Sequence, residues 1–298
     1  MLLPVARTTW VRPILLANLV GEIVIIVTGG IVRLTGSGLG CPTWPECTVG
    51  SIVPVSEQVE GFHKWVEFGN RTLTGVVGIL ALLALWAVRT HLPKRRPLHW
   101  LGWAMVAGVV AQAVVGGITV RTGLNPATVA FHFLASMAMV ALATAMLRGA
   151  EDEVPAPRMP MVPVLVVRLG WVTAAVAVVV LVLGTLVTGS GPHSGDAVTP
   201  ARTGFDARYV SWMHADAVML FVGLVVAMVV AVQVAGDAER ARTTWRTVLV
   251  VALAQGLIGY VQFFTALPEV LVALHMLGAA LLTVAVTAGV LNLYRNPV

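Results

Sequence analysis

Charged side chains are scarce in this chain. Asp, Glu, Lys and Arg together make up 11% of its 298 residues, against about a quarter in an ordinary soluble domain. A soluble globular fold is therefore excluded, because too little charge is present to cover its surface. The net charge of +5 is interpreted as a signal of membrane orientation, and we expect no nucleic-acid partner.

Two familiar sequence signals are also missing. The first apolar run, at 14–32, lacks the small-residue pattern of a cleavage site, so we expect a retained first helix and not a signal peptide. The chain has no flavin or nicotinamide fingerprint. Any electrons that it uses are therefore expected to come from a partner.

Apolar residues are abundant instead, at 58% of the chain, and they form runs of about 20 residues that can each cross a lipid bilayer as a helix. We predict an all-α integral membrane protein with eight transmembrane helices. The spans are expected at about 13–33, 66–89, 99–120, 126–148, 164–188, 208–234, 246–265 and 269–291.

Basic residues are shared unevenly between the two sides of these spans. The side that holds both termini carries Arg7, Arg12, Arg89, Lys94, Arg95, Arg96, Arg148, Arg158, Arg240, Arg242, Arg246 and Arg295. The opposite loops carry Arg33, Lys64, Arg71, Arg121, Arg202 and Arg208. Because cytoplasmic loops are enriched in Lys and Arg, we predict a multi-pass protein of the plasma (inner) membrane with both termini in the cytoplasm.

The chain repeats part of its sequence at a spacing of 143 residues. The segment AQAVVGG from Ala111 matches AQGLIGY from Ala254, and His132 matches His275 at the same spacing. Both histidines lie in an apolar run that follows a loop signal. The spacing indicates an internal duplication.

The same duplication is visible in the long outer segments. The tetrapeptide TGSG occurs at 35–38 and again at 188–191. We predict two parallel-repeat four-helix bundles, 1–150 and 160–298, joined by a charged linker at 151–158. A four-helix bundle can hold a cofactor between facing helices.

Four polar residues are expected at one depth in the outer half of the bilayer, one to two turns inside the even-numbered spans. They are Asn70, His132, His214 and His275. Because polar residues inside spans are usually functional, His214 and His275 are a candidate pair of ligands for a bis-histidine haem. The alternative is that each is a core histidine bonded to a carbonyl.

The first half departs from this pattern, because Asn70 stands where the second half has His214. An amide is a poor ligand for haem iron. We therefore expect His132 to be the one strong ligand of the first half. A haem with one open or weakly held position suits reaction, arrival or release better than permanent electron transfer.

Two charged residues flank Asn70. Glu67 lies on the same helix face and either handles a proton or developing positive charge, or is a solvated carboxylate at a helix N-terminus. If its helix begins early, His63 is placed to hydrogen-bond it. Arg71 is a candidate for a haem propionate, and the alternative is an arginine that snorkels to the interface.

Cys41 and Cys47 are the only cysteines, and both fall in the first outer loop. Because the outer side is oxidising, a disulfide is favoured over a metal site. Two interpretations stay open, a structural disulfide and a redox-active pair that passes electrons or gates the loop.

These motifs occur in a specific combination that covers nearly the whole chain. It comprises GGIVRLTGSGLGCPTWPEC from Gly29, EFGNR from Glu67, and FH, MH and LH pairs ending at His132, His214 and His275. The combination resembles haem A synthase. The resemblance implies two four-helix halves and oxidation of the C8 methyl of haem O, by two hydroxylations and loss of water, to the formyl of haem A for cytochrome oxidase assembly.

The resemblance also implies residue roles. His214 and His275 would ligate a resident haem b, and His132 would face the substrate haem. Glu67 would match the essential first-loop glutamate, and the two cysteines would match a first-loop pair with a redox or haem-transfer role. Many members have EXXHR, so Asn70 removes one histidine from the substrate site. The second cysteine pair of some bacterial members, between spans five and six, is absent here.

We therefore predict a membrane oxidoreductase with haem b as cofactor, Glu67 and His132 as catalytic residues, and Asn70 and Arg71 at the haem site. Haem O synthase is the expected supplier of substrate, and quinol or a redox protein the electron donor. The alternative is a quinol-linked di-haem b electron-transfer cytochrome. A third class, a transporter, predicts helices broken at the midplane.

Overall fold

The computed structural model describes residues 10–151, 158–196, 200–235 and 238–295, with the side chain of Arg295 excepted. Arg7 and most of the predicted charged linker, residues 152–157, lie outside the described residues.

Eight long helices make up most of the described chain. They are Val11–Leu34 (α1), His63–His91 (α2), Arg96–Arg121 (α3), Pro126–Ala150 (α4), Val164–Ser190 (α5), Ala207–Val234 (α6), Glu239–Phe264 (α7) and Glu269–Leu291 (α8). Each is long and apolar enough to cross a membrane. The predicted all-α membrane fold with eight spans is confirmed. Each helix runs unbroken, unlike the midplane breaks that a transporter predicts.

The helix bounds differ from the predicted spans chiefly at α7. It begins at Glu239 and not near residue 246, so Arg240 and Arg242 lie in its first turn and not in a loop. Hydropathy marks only the lipid-crossing stretch of a helix, whereas backbone hydrogen bonds continue beyond the lipid. A short strand pair, Met159–Pro160 (β1) with Tyr294–Arg295 (β2), joins the linker to the C-terminus.

The helices pack as two rings. In the first ring α1 packs on α2, α2 on α3, α3 on α4 and α4 on α1, and α5 to α8 repeat this order in the second. Helix α8 contacts α1 and α4, and α5 contacts α4, which joins the rings. Two apolar clusters fill them, one with Met105, which also takes in Ala280 of α8, and one with Trp245. On these contacts we propose that the rings are the halves predicted at 1–150 and 160–298.

The loops at one end tie the rings together. We call them the outer loops, after the predicted orientation, and they comprise 35–62, 122–125, 191–196, 200–206 and 265–268. Gly38 N donates to Gly195 O at 2.9 Å. Arg33 donates from Nε to His193 O at 2.6 Å and from Nη2 to Thr188 O at 3.0 Å. The TGSG segment of each half is thus held against the other half.

The turns before α4 and α8 have the same backbone. Leu124 and Leu267 have φ of 58° and 59°, a region that bulky non-glycine residues rarely adopt. Leu124 N donates to Thr119 O at 2.9 Å, and Leu267 N to Gln262 O at 2.8 Å. An unfavourable turn that recurs 143 residues later starts both helices in the same register. His132 and His275 consequently lie at the same depth.

Candidate functional site

Four polar side chains lie at one level below the outer loops. Asn70, His132, His214 and His275 each follow the first residue of their helix by six or seven positions, which places them about 10 Å along the axis. Helices α2 and α4 stand at opposite corners of the first ring, and α6 and α8 at opposite corners of the second. Each ring thus carries one pair on diagonal helices, where a flat cofactor between them would meet both.

Each of these side chains lies beside a glycine of the preceding helix. The pairs are Gly29 with Asn70, Gly116 with His132, Gly184 with His214, and Gly259 with His275. A Cβ added at any of these glycines would lie 3.3 to 3.8 Å from the polar side chain. Only the distance at Gly184, 3.3 Å, is tighter than ordinary van der Waals contact, and each polar side chain packs directly on the neighbouring helix.

The second ring presents two histidines in a state suited to iron. His214 Nδ1 lies 3.1 Å from Val180 O. Because a carbonyl only accepts, Nδ1 carries the hydrogen and Nε2 of the neutral ring keeps the lone pair. His275 lies on α8, the helix diagonally opposite to α6. Its own Nδ1 is buried and has no partner among the residues that the structure describes.

The first ring is arranged differently. Thr28 Oγ1 on α1 lies 2.8 Å from Asn70 Oδ1, so the amide is bonded to the neighbouring helix. His132 Nδ1 is buried and, within the described ranges, has no partner. The diagonal helices of the first ring thus carry one imidazole and one engaged amide.

Glu67 and Arg71 form a buried clamp on the disulfide loop. Glu67, only 5% exposed, accepts from Cys41 N at 2.7 Å through Oε2 and from Arg71 Nε at 3.0 Å through Oε1. Arg71 also donates to Cys41 O at 2.7 Å and to Glu46 O at 3.1 Å. A solvated carboxylate, one of the two alternatives for Glu67, is excluded by this burial.

The predicted bond between His63 and Glu67 is wrong. Helix α2 does begin at His63, but His63 Nδ1 lies 2.8 Å from Ser37 Oγ. Both oxygens of Glu67 are instead directed to Cys41 and Arg71. The clamp takes precedence because it satisfies a buried backbone donor and a guanidinium at once.

The predicted disulfide between Cys41 and Cys47 is confirmed, with an S–S distance of 2.01 Å. Trp44, between the two cysteines, packs against Gly117 of α3, where any added Cβ would overlap its ring. Gly117 is next in sequence to Gly116, which lies beside His132. The disulfide loop thus reaches the vicinity of the first-ring histidine.

Two glutamines belong to the site and were missed by the sequence analysis. Gln112 Nε2 donates to His132 O at 3.0 Å, and Gln255 Nε2 donates to His275 O at 2.9 Å. The signal was available, because both are the Gln of the repeated AQ motif and both are polar residues inside a span.

Comparisons with known proteins agree with this arrangement. Residues 12–287 match the family described as "Cytochrome oxidase assembly protein" (COX15-CtaA). A "Heme A synthase" of Geobacillus kaustophilus is 36% identical over 104 residues, which are 34% of this chain and 31% of that protein. One of Halalkalibacterium halodurans is 29% identical over 178 residues, 57% of this chain and 55% of the relative.

The coverage differs between these findings. The stretch aligned with the Geobacillus relative spans about a third of that protein's length, whereas the family match covers nearly all of the described chain, from α1 to α8. This chain therefore belongs to the family of cytochrome oxidase assembly proteins.

Proposed function

We propose that this chain is a haem A synthase that oxidises the C8 methyl of haem O to the formyl of haem A. A resident haem b would lie in the second half, 160–298, and the substrate haem in the first, 1–150. The observation that carries the proposal is the pair of diagonal histidines in the second ring, opposed to a single histidine and an engaged amide in the first. The relatives named "Heme A synthase" support it.

The residues of the second ring fit a haem. His214 has its Nδ1 hydrogen bonded to Val180 O, which directs Nε2 to a metal in the way that second-shell partners of ligating histidines do. His275 is the second donor on the diagonal helix, and both imidazoles pack on the preceding helix beside Gly184 and Gly259. Bound there, haem b would supply one-electron transfer to the substrate site.

In the first ring the protein would position the substrate. His132 is the one imidazole near this level of the first ring in the described chain, and we assign it to face haem O. Asn70 is bonded to Thr28 and offers an amide, which is a weak ligand. An imidazole on one side only suits a haem that enters, reacts and leaves.

We propose a positioning role and a charge role for Glu67. Its oxygens hold the disulfide loop through Cys41 N and bind Arg71. As a buried carboxylate at the mouth of the first ring it is also placed to stabilise positive charge that develops on the substrate. Arg71 uses four of its five N–H groups in bonds to Glu67, Cys41 O and Glu46 O, which leaves it one N–H for a propionate.

The proposed partners follow from the reaction. Haem O synthase would supply the substrate, and membrane quinol or a redox protein would supply electrons. The bilayer is the solvent, and we propose the plasma membrane with cytoplasmic termini, because the loops opposite to the disulfide carry most of the basic residues.

Co-expression tests the proposal. The full chain is produced with haem O synthase in a host that makes only haem B and haem O, and extracted haems are separated by chromatography. Haem A is expected. Accumulation of haem O alone, with the protein present in the membrane, would contradict the enzymatic proposal. The alternative di-haem b cytochrome predicts two permanently bound haems b per chain and no haem A.

A further inference from the structure

The two glutamines of the AQ motif form the same contact in both halves. Gln112 on α3 and Gln255 on α7 donate from Nε2 to the backbone carbonyl of the histidine on the next helix, at 3.0 Å and 2.9 Å. Each lies one helical turn before the glycine that contacts the histidine ring, Gly116 or Gly259. One face of α3 and of α7 thus contacts both the main chain and the ring of a histidine.

Both halves also leave the same two atoms unpaired. The Oε1 atoms of Gln112 and Gln255 are buried without a partner in the described part of the chain, and so are the Nδ1 atoms of His132 and His275. Buried polar atoms are nearly always hydrogen-bonded. In each half, one of the two unpaired atoms, the glutamine Oε1, can only accept, and the other, the histidine Nδ1, can donate.

The orientation of each amide is determined by its contact. A carbonyl can only accept, so the atom that faces the histidine carbonyl has to be the amide nitrogen, and Oε1 is the atom that remains. Nδ1 of His214 has an acceptor, Val180 O. Nδ1 of His132 and of His275 has none among the described residues. A histidine that ligates a metal normally donates its second ring N–H to such an acceptor.

We propose that Gln112 and Gln255 are positioning residues that set the tautomer of His132 and His275. Each glutamine, anchored on the histidine carbonyl, offers Oε1 to the Nδ1–H of the same histidine through one buried water, since the two atoms make no direct bond. Nε2 is then the nitrogen left to bind haem iron. The iron part of this inference rests on the proposed function, whereas the tautomer part concerns the protein alone.

Gln255 is the cleaner position for a test. Gln112 has a further contact with the hydroxyl of Ser136, whereas the matching position in the second half is Ala279. Two substitutions separate the two contacts of the amide. Gln255→Met removes both the donor and the strong acceptor at similar length, and Gln255→Glu removes the donor but keeps an acceptor oxygen.

The midpoint potential of the resident haem b is measured in full-length wild type and both variants. If Oε1 accepts from His275 Nδ1, a carboxylate makes the imidazole a stronger ligand and lowers the potential, whereas Gln255→Met raises it, so the shifts have opposite signs. If glutamine only fastens α7 to α8 through its donor, both variants lose the same bond and shift alike or not at all. That result would overturn the proposal. Gln112→Met is the matched control and should leave this potential unchanged.

A second measurement needs no haem. In haem-free protein carrying ¹⁵N-labelled histidine, His275 is expected as the Nδ1–H tautomer in wild type and as a mixture in Gln255→Met. The same tautomer mixture in both proteins would overturn the proposal even if Gln255→Glu does not accumulate. Wild-type protein that binds no haem on titration with hemin would instead refute the proposed function and leave this tautomer test valid.

Discussion

The helix pairs α3–α4 and α7–α8 are close copies, whereas α1–α2 and α5–α6 have diverged. The copied pairs share the turn at Leu124 and Leu267 and the glutamine contact to the histidine carbonyl. The diverged pairs differ at the level of the four polar residues, Asn70 against His214, and only the first carries the disulfide clamp. Under the proposed function, the copied side of each ring presents a histidine, and the other side decides whether a haem stays.

The largest expected effect comes from removing one histidine of either half and comparing the two variants. His275→Ala should abolish the absorption spectrum of the proposed resident haem b, because a bis-histidine haem would lose half of its axial ligation. His132→Ala should leave that spectrum intact and reduce haem A to undetectable levels. Reduced-minus-oxidised spectra and extracted haems measure both. Equal loss of the resident spectrum in the two variants would mean that the halves do not hold separate haems.

Removing the clamp should have the next largest effect, and that effect should be confined to the first half. Glu67→Ala leaves the Arg71 guanidinium without its carboxylate in a largely buried place, which costs about 3 kcal/mol. The thermal midpoint and haem A formation should both fall, while the resident haem b keeps its spectrum. Glu269→Ala, at the exposed start of α8, is the matched control and should change the midpoint little. A spectral change in Glu67→Ala would show that the clamp serves both halves.

Much of the fold followed from the sequence because lipid imposes simple rules. The apolar runs of about 20 residues gave eight spans, and the depth of the four polar residues followed from their distance to the span entries. The start of α7 at Glu239 was missed, because a helix that leaves the lipid becomes polar without ending.

The site was less predictable than the fold. Sequence spacing predicted that Asn70, His214 and His275 lie at one depth. It did not predict which residues they contact. Thr28 and Val180 contact site residues between helices, and Trp44 of the disulfide loop packs on Gly117 next to the site. No periodicity encodes such contacts. The bond of His63 to Ser37 instead of Glu67 shows that helical spacing alone does not choose a partner.

The disulfide offers a smaller test of the same comparison. Replacing both Cys41 and Cys47 by Ser should lower the free energy of unfolding by about 2 kcal/mol, as expected for a short closed loop. Haem A formation should fall but stay measurable, because Cys41 N and O keep their bonds to Glu67 and Arg71. The resident haem b serves as the internal control. Complete loss of haem A with an unchanged spectrum would indicate an obligatory redox role for the pair.

Placing a histidine at position 70 should have the smallest effect, and it tests the ligand difference between the halves most directly. Asn70→His gives the first ring the diagonal pair that the second ring has, at the cost of the bond to Thr28 worth about 1 kcal/mol. The haem content of the purified protein should rise from about one towards two per chain, since a second imidazole slows release. The pyridine haemochrome assay measures this content, and Thr28→Val is the control that removes the same bond without adding a ligand.

The outcome separates two explanations of the asymmetry between the halves. If Asn70 is what keeps the first site exchangeable, Asn70→His raises the haem content and slows exchange of added haem, while Thr28→Val changes neither. If exchange is governed instead by the disulfide loop, which packs Trp44 against Gly117, the haem content stays at about one in both variants. The second half has Tyr260 at the position matching Gly117, so it has no equivalent place for a loop tryptophan. An unchanged haem content would therefore indicate that the disulfide loop, and not the side chain at position 70, causes the asymmetry.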